Sequence, residues 1–278
     1  MGFQILTCIL ILSAIFIGGF FWAQRIRFWS LVDGLWATSI GLIWIFLGAE
    51  NLRAPVPVEL WVLMGLGIFW SLRLTWHLGR RLRAHFPSED PRYVELKKNW
   101  TASKFFVFFL AQAFIAGILS LGIASPLMLN AQVLKAQGFQ VQGNPFAWIF
   151  LVGSALSLAG VFVSDRQLEK FKAKSKLSNL RGEVCQQGLW AYSRHPNYFF
   201  ECLTWLFWGG AGLSLIWNQP GIFKFFTIVP GVLLTFLILK FTGIPYAESS
   251  SLKSRGEKYK DYQRRVSIFI PWFPKKKV

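Results

Sequence analysis

The sequence predicts an all-α integral membrane protein, a bundle of seven transmembrane helices with its N-terminus outside and its C-terminus in the cytoplasm. Three observations lead there. The 278 residues are 54% hydrophobic and 17% aromatic, and the apolar ones come in runs near the ~20 residues a helix needs to cross about 30 Å of hydrocarbon. Polar residues recur at three- and four-residue spacing near one end of several runs, which is helical periodicity. All but five of the 30 Lys and Arg residues fall in segments that follow odd-numbered runs, and positively charged loops mark the cytoplasmic side.

The runs are 3–23, 31–49, 58–78, 105–125, 145–163, 198–217 and 222–242. The first has no basic n-region and no small-residue cleavage site, so it reads as a span and not as a secretory signal. The second carries Asp33 at its cytoplasmic start and Glu50 at its outer end. Its Gly34, Gly41 and Gly48 recur at seven-residue intervals, a stripe that lets a neighbouring helix approach closely. On the third run Arg73, His77, Arg80 and Arg81 share one helix face. Arg73 and His77 lie within the span and must point into the bundle, because an ionisable group facing lipid is costly. A long charged connector follows the fifth run, and on it Asp165, Glu169 and Lys172 again share a face. Pro220 and Gly221 turn the chain between the last two runs. In the tail Arg255, Tyr259 and Tyr262 repeat the i, i+4, i+7 pattern of one helix.

Gly188 to Glu201 concentrates polar groups directly before the sixth run. Pro196 suits the first turn of a helix, and that helix end presents free N–H groups and a positive dipole that favour an anion such as phosphate. Asn197, Tyr198 and Glu201 share a face, and Glu201 lies a full turn inside the apolar run, where a carboxylate needs a partner or a polar cavity. An interfacial cap, with Arg194 and His195 on lipid headgroups, accounts for Tyr and Arg but not for an Asn and a Glu on one stripe. Cys8, Cys185 and Cys202 have neither disulfide nor zinc spacing, and no metal site is expected. The net charge of +17 fits membrane topology and a phosphate-bearing ligand. Nucleic-acid binding is not expected, since no recognition motif accompanies the charge. There is no dinucleotide fingerprint after a strand, no P-loop and no His-Glu-x-x-His, and the inverted repeats of a transporter are missing.

These residues resemble a known family. Gly188-Leu-Trp-x-Tyr192-Ser-Arg194-His195-Pro196-Asn197-Tyr198, with Glu201, is similar to the C-terminal region of membrane steroid 5α-reductases and their bacterial relatives. So are Glu89-Asp90-x-Arg92-Tyr93, Thr242-Gly-Ile-Pro245, Ser254-Arg255-Gly256, Tyr259, Tyr262-Gln-Arg264-Arg265 and Phe269-Ile-Pro271. The resemblance implies one membrane-embedded domain, with the helices of 1–125 forming a substrate pocket and 145–278 forming an NADPH-binding half with cytoplasmic loops and an amphipathic tail. It implies reduction of the C=C bond of an enone lipid, foremost a 3-oxo-Δ4 steroid, by hydride transfer to the β-carbon. The matching cofactor positions are Asp165, Tyr192, Asn197, Glu201 and Tyr262, and helix-face logic extends them to Lys172, Arg194, His195, Tyr198, Arg255 and Tyr259.

The family grips the ketone with an acidic residue on the second span and a tyrosine on the third. Those roles fall here on Asp33, with Glu50 in reserve, and on His77. His77, supported by Asp33, would donate to the carbonyl oxygen and stabilise the enolate. The apolar substrate would enter from the lipids of a bacterial plasma membrane or the endoplasmic reticulum, with the cofactor site facing the cytoplasm. Isoprenylcysteine carboxyl methyltransferases, which bind S-adenosylmethionine, share an Arg-His-Pro-x-Tyr element and a similar tail. Their paired Glu-Glu is reduced here to Glu248-Ser249, which together with Asn197 favours the reductase.

Overall fold

The computed structural model describes residues 2–52, 55–136, 143–177, 182–219 and 221–276; Pro220 of the expected turn lies outside them. Among the described residues every long element is helical. The order is α1 (Gly2–Ile26), α2 (Leu31–Asn51), α3 (Val58–His85), α4 (Pro91–Asn99), α5 (Ala102–Ala136), α6 (Pro145–Leu177), α7 (Pro196–Leu215), α8 (Gly221–Lys240), α9 (Ile244–Arg255) and α10 (Glu257–Arg265). All seven apolar runs are helices. Among the described residues six stretches are long and apolar enough to cross a membrane: Gly2–Ile26, Leu31–Asn51, Val58–Ala84, Ala102–Ala131, Pro145–Lys176 and Gly221–Arg255. The chain is an integral membrane protein. The expected sixth span, α7, is helical as read but falls short of that apolarity, because Asn197 and Glu201 occupy its first turns and its Trp and Gly residues add little hydropathy.

The chain divides into two compact units, Met1–Trp148 with Gly209–Pro230, and Ile149–Trp208 with Gly231–Val278. In the first, the glycine stripe of α2 seats α3. A Cβ on Gly41 would come closer than 3.0 Å to Ser71 Oγ, one on Gly48 would do the same to Met64 Sδ, and one on Gly34 would lie 3.3 Å from Leu82 Cδ1. Ser71 Oγ uses that closeness to donate to the Ala37 carbonyl at 2.8 Å. Trp44 Nε1 donates to the Ser120 carbonyl of α5 at 2.8 Å. Asn51 donates to the Leu127 carbonyl at 3.2 Å and accepts from Asn130 at 2.9 Å. Such interhelical bonds matter in a bilayer, where no water satisfies a stray polar group.

The second unit packs α7 between α6 and the rear of α8. Gly160 faces the Phe200 ring, Gly153 faces Phe207, and Gly231 admits the Trp205 carbonyl, so a Cβ on Gly160 or Gly231 would meet atoms closer than 3.0 Å. Val184, Tyr259, Tyr262 and Val266 form a small core with Leu252 packed on it. The tail corrects one expectation. Gly256, at φ +53°, separates α9 from α10, a backbone state that costs glycine little. Arg255 therefore closes α9 while Tyr259 and Tyr262 sit on α10, and the three do not share one helix face.

Candidate functional site

In the second unit the segment from Gly188 to His195 is fixed before α7 begins. Gly188, at φ +59°, starts a 3₁₀ turn over Gly188–Ala191. Leu189 N donates to Gln167 Oε1 at 2.9 Å, and Trp190 Nε1 donates to the Ser164 carbonyl at 3.0 Å. Tyr262, only 1% exposed, donates its hydroxyl to the Trp190 carbonyl. Ser193 pairs with Ser267 in a parallel bridge, Arg194 N donates to the Ser267 carbonyl at 2.8 Å, and Ser193 Oγ donates to the Phe269 carbonyl at 2.7 Å.

One carboxylate organises the side chains at the end of this segment. Glu248 accepts from Arg194 Nε and Nη2, both at 3.0 Å, in the bidentate form that suits guanidinium. It also pairs with His195 Nε2 at 2.7 Å and accepts from Tyr259 Oη at 2.7 Å and Gln263 Nε2 at 2.6 Å. Arg194 Nη1 turns the other way, to the carbonyls of Gln263 and Val266. Arg194 is thus a buried tie between the segment before α7, α9 and α10. Burial pushes the Tyr259 phenol well above its ordinary range, and its bond to Glu248 adds to the shift. Burial also raises Tyr262. Both phenols remain donors at neutral pH.

α7 begins at Pro196 as expected. Asn197 Nδ2 donates to Asp165 Oδ1 on α6 at 3.1 Å. Tyr198 stacks on the His195 ring with centroids 5.5 Å apart, and Glu201 Oε1 accepts from Trp205 Nε1 at 3.1 Å. Lys172 and Arg255 line a 340 Å³ groove with Ser175, Lys176, Glu183 and Ser254. Arg255 is anchored there through Nε to the Glu183 carbonyl at 3.0 Å. Tyr192 is 42% exposed. Seven of the expected cofactor residues therefore form three groups: Arg194, His195 and Tyr259 around Glu248, Asp165 with Asn197, and Lys172 with Arg255. Tyr262 is a core pin below the first group.

In the first unit Asp33 accepts from Arg92 Nη2 at 2.6 Å and from Tyr93 Oη at 2.7 Å. Asp90 caps α4 by accepting from Arg92 N at 3.0 Å and also accepts from Arg92 Nε and Arg81. Burial works to raise the Asp90 pKa, but hydrogen bonds and charge from Arg92, with the charge of Arg81, overcome it and hold the carboxyl below its ordinary value. Glu89 accepts from Ser30 N and pairs with Lys97 at 2.9 Å. His77 is half-buried on α3 and Glu50 is exposed at the end of α2. Sequence reasoning missed Tyr93 and Arg92 as the partners of Asp33, although both stand in a motif it quoted. It also missed Glu248 and Gln263. The available signal for Glu248 was a lone carboxylate between Lys240 and Glu257 in a basic tail.

The model of a family described as "Protein of unknown function (DUF1295)" matches residues 19–266. The chain belongs to the DUF1295 family. All the site residues named above, from Asp33 to Gln263, fall inside the DUF1295 match, and the residues after Val266 fall outside it. An 84-residue segment is 33% identical to the steroid 5-alpha-reductase DET2 of Arabidopsis thaliana, covering 29% of this chain and 29% of that relative's length. No solved structure matches this DUF1295 chain.

Proposed function

We propose that this DUF1295 protein is a membrane-embedded, NADPH-dependent reductase of the C=C bond of an enone lipid, with a 3-oxo-Δ4 steroid as the leading substrate. The observation that carries the reading is the 33% identity of one segment to a steroid 5-alpha-reductase. Bound NADPH supplies the hydride. The groove of Lys172, Lys176 and Arg255 fits the phosphates of such a cofactor, since it clusters cations at hydrogen-bonding positions. Asp165 and Asn197 offer a carboxylate and an amide to its polar edge, with Tyr192 open beside the segment. Arg194 takes a different part: its guanidinium is buried against Glu248 and two carbonyls, so it orders the segment and leaves the phosphates to Lys172 and Arg255. His195, Tyr198, Glu201, Tyr259 and Tyr262 shape the walls around that segment.

In the first unit His77 is the proposed donor to the enone oxygen. A hydrogen bond or proton delivered there stabilises the enolate that forms as the β-carbon is reduced. Asp33, held by Tyr93 and Arg92, supplies the acidic partner in the same unit. The test is a thermal shift of the purified protein with NADPH, NADH or S-adenosylmethionine, because a ligand of the folded form raises apparent stability. NADPH should raise it most. Stabilisation by S-adenosylmethionine alone would replace the reductase with a methyltransferase. His77→Ala should abolish enone-dependent NADPH oxidation while the NADPH thermal shift survives; activity restored by excess NADPH would remove His77 from the chemical step.

A further inference from the structure

The last residues of the described chain form a non-helical ribbon with one face on the protein and the other open. Ser267, Phe269 and Pro271 are half-buried while Ile268, Ile270 and Trp272 are exposed. The inner side is held by the Ser193–Ser267 bridge, by Trp272 N donating to the Tyr192 carbonyl at 2.9 Å, and by Phe269 packed edge-on to Phe199. The outer side is apolar: Ile270 is 60% exposed, Trp272 71% and Phe273 80%. Exposed Lys275 and Lys276 follow after Pro274.

The depth of this face is set by its attachments. Trp190 Nε1 binds the carbonyl of Ser164, the residue directly after the apolar run of α6. The ribbon is bridged to Ser193, three residues beyond Trp190. Ile268 to Phe273 therefore lie where α6 leaves the hydrocarbon. Trp and Phe followed by lysines at that depth are the composition of an interfacial anchor: rings settle among headgroups and ammonium groups pair with anionic lipid.

We propose that the ribbon from Ser267 to Lys276 docks on the anionic phospholipid surface of the bilayer that α6 crosses. Ile270, Trp272 and Phe273 enter the headgroup layer, and Lys275 and Lys276 meet lipid phosphates. The docked ribbon steadies Tyr192 to Arg194, because the main-chain bonds of Trp272 and Ser267 end on that segment.

The test uses the full chain in nanodiscs of phosphatidylcholine alone or mixed with phosphatidylglycerol, and reads trypsin cleavage after Lys275 and Lys276 by intact mass. Cleavage should be about tenfold slower with phosphatidylglycerol, a factor within reach of two lysines that Trp272 and Phe273 hold at an anionic surface. Trp272→Ser/Phe273→Ser, whose side chains are exposed, should melt as the parent does and be cleaved in the mixed nanodiscs as fast as the parent is in phosphatidylcholine. Equal parental rates in the two lipids would overturn the proposal. So would protection that persists in the double variant, or in detergent without phospholipid, since protein and not lipid would then cover the ribbon.

Discussion

Glu248→Ala is the most revealing single perturbation of this fold. It removes the acceptor of Arg194, His195, Tyr259 and Gln263 in one step. The Arg194 and Glu248 side chains are only 8% and 14% exposed, so water screens little of their interaction. Summing hydrogen bonds to a charged group at roughly 1.5–3 kcal/mol each would overstate the loss, because groups in one network are not additive. The better guide is the removal of one partner from a buried pair, which costs about 3–5 kcal/mol through the uncompensated charge left behind. At about 4 °C per kcal/mol for a unit little over a hundred residues long, melting should fall by about 12–20 °C. Cys185 reports it. The thiol is buried, and burial raises its pKa, so a thiol-reactive dye labels it only as the second unit opens. Glu248→Gln should fall between variant and parent, because it keeps one acceptor oxygen while turning an amide NH₂ toward donors. Glu257→Ala, with its side chain 77% exposed, should leave the labelling temperature unchanged. A shift below about 2 °C for Glu248→Ala would refute the claim that this carboxylate organises the site.

The same geometry sets three more outcomes. Gly41→Ala should cost the first unit about 1–3 kcal/mol through overpacking, since its Cβ would collide with Ser71; adding Ser71→Gly should recover part of the loss, as read by labelling of buried Cys8. Tyr262→Phe should destabilise the second unit by about 1–2 kcal/mol by leaving a buried carbonyl without its donor, measured by Cys185 labelling. Asp90 sets an acid limit. Its pKa is lower in the folded chain than in the unfolded one, so the stabilisation it contributes is complete above the unfolded value near 4 and is lost as pH falls through the folded value. Unfolding of the first unit, followed by tryptophan fluorescence, should set in at lower temperature below about pH 4 in the parent, and Asp90→Asn should flatten that part of the profile.

The sequence by itself determined the elements. Runs of apolar residues near the length of a bilayer crossing became helices in all seven places, the seven-residue glycine stripe of α2 became the seat of α3, and Pro196 became the start of α7. Those features are local: length, periodicity and the missing N–H of proline act within a few residues, so they can be read before any contact is known. Only the tertiary structure decided which polar groups meet. Arg194 and His195 stand out in the sequence as cofactor candidates, and only the fold shows that they close on Glu248, more than fifty residues away. Asp33 reads as a partner for His77 by depth alone, and only the fold shows that it also receives Arg92 and Tyr93 from α4. The tail reads as one helix face in the sequence, and the positive φ of Gly256 divides it. Pairing of buried charges is decided by three-dimensional distance, and along the chain a carboxylate gives no sign of which distant cation will reach it.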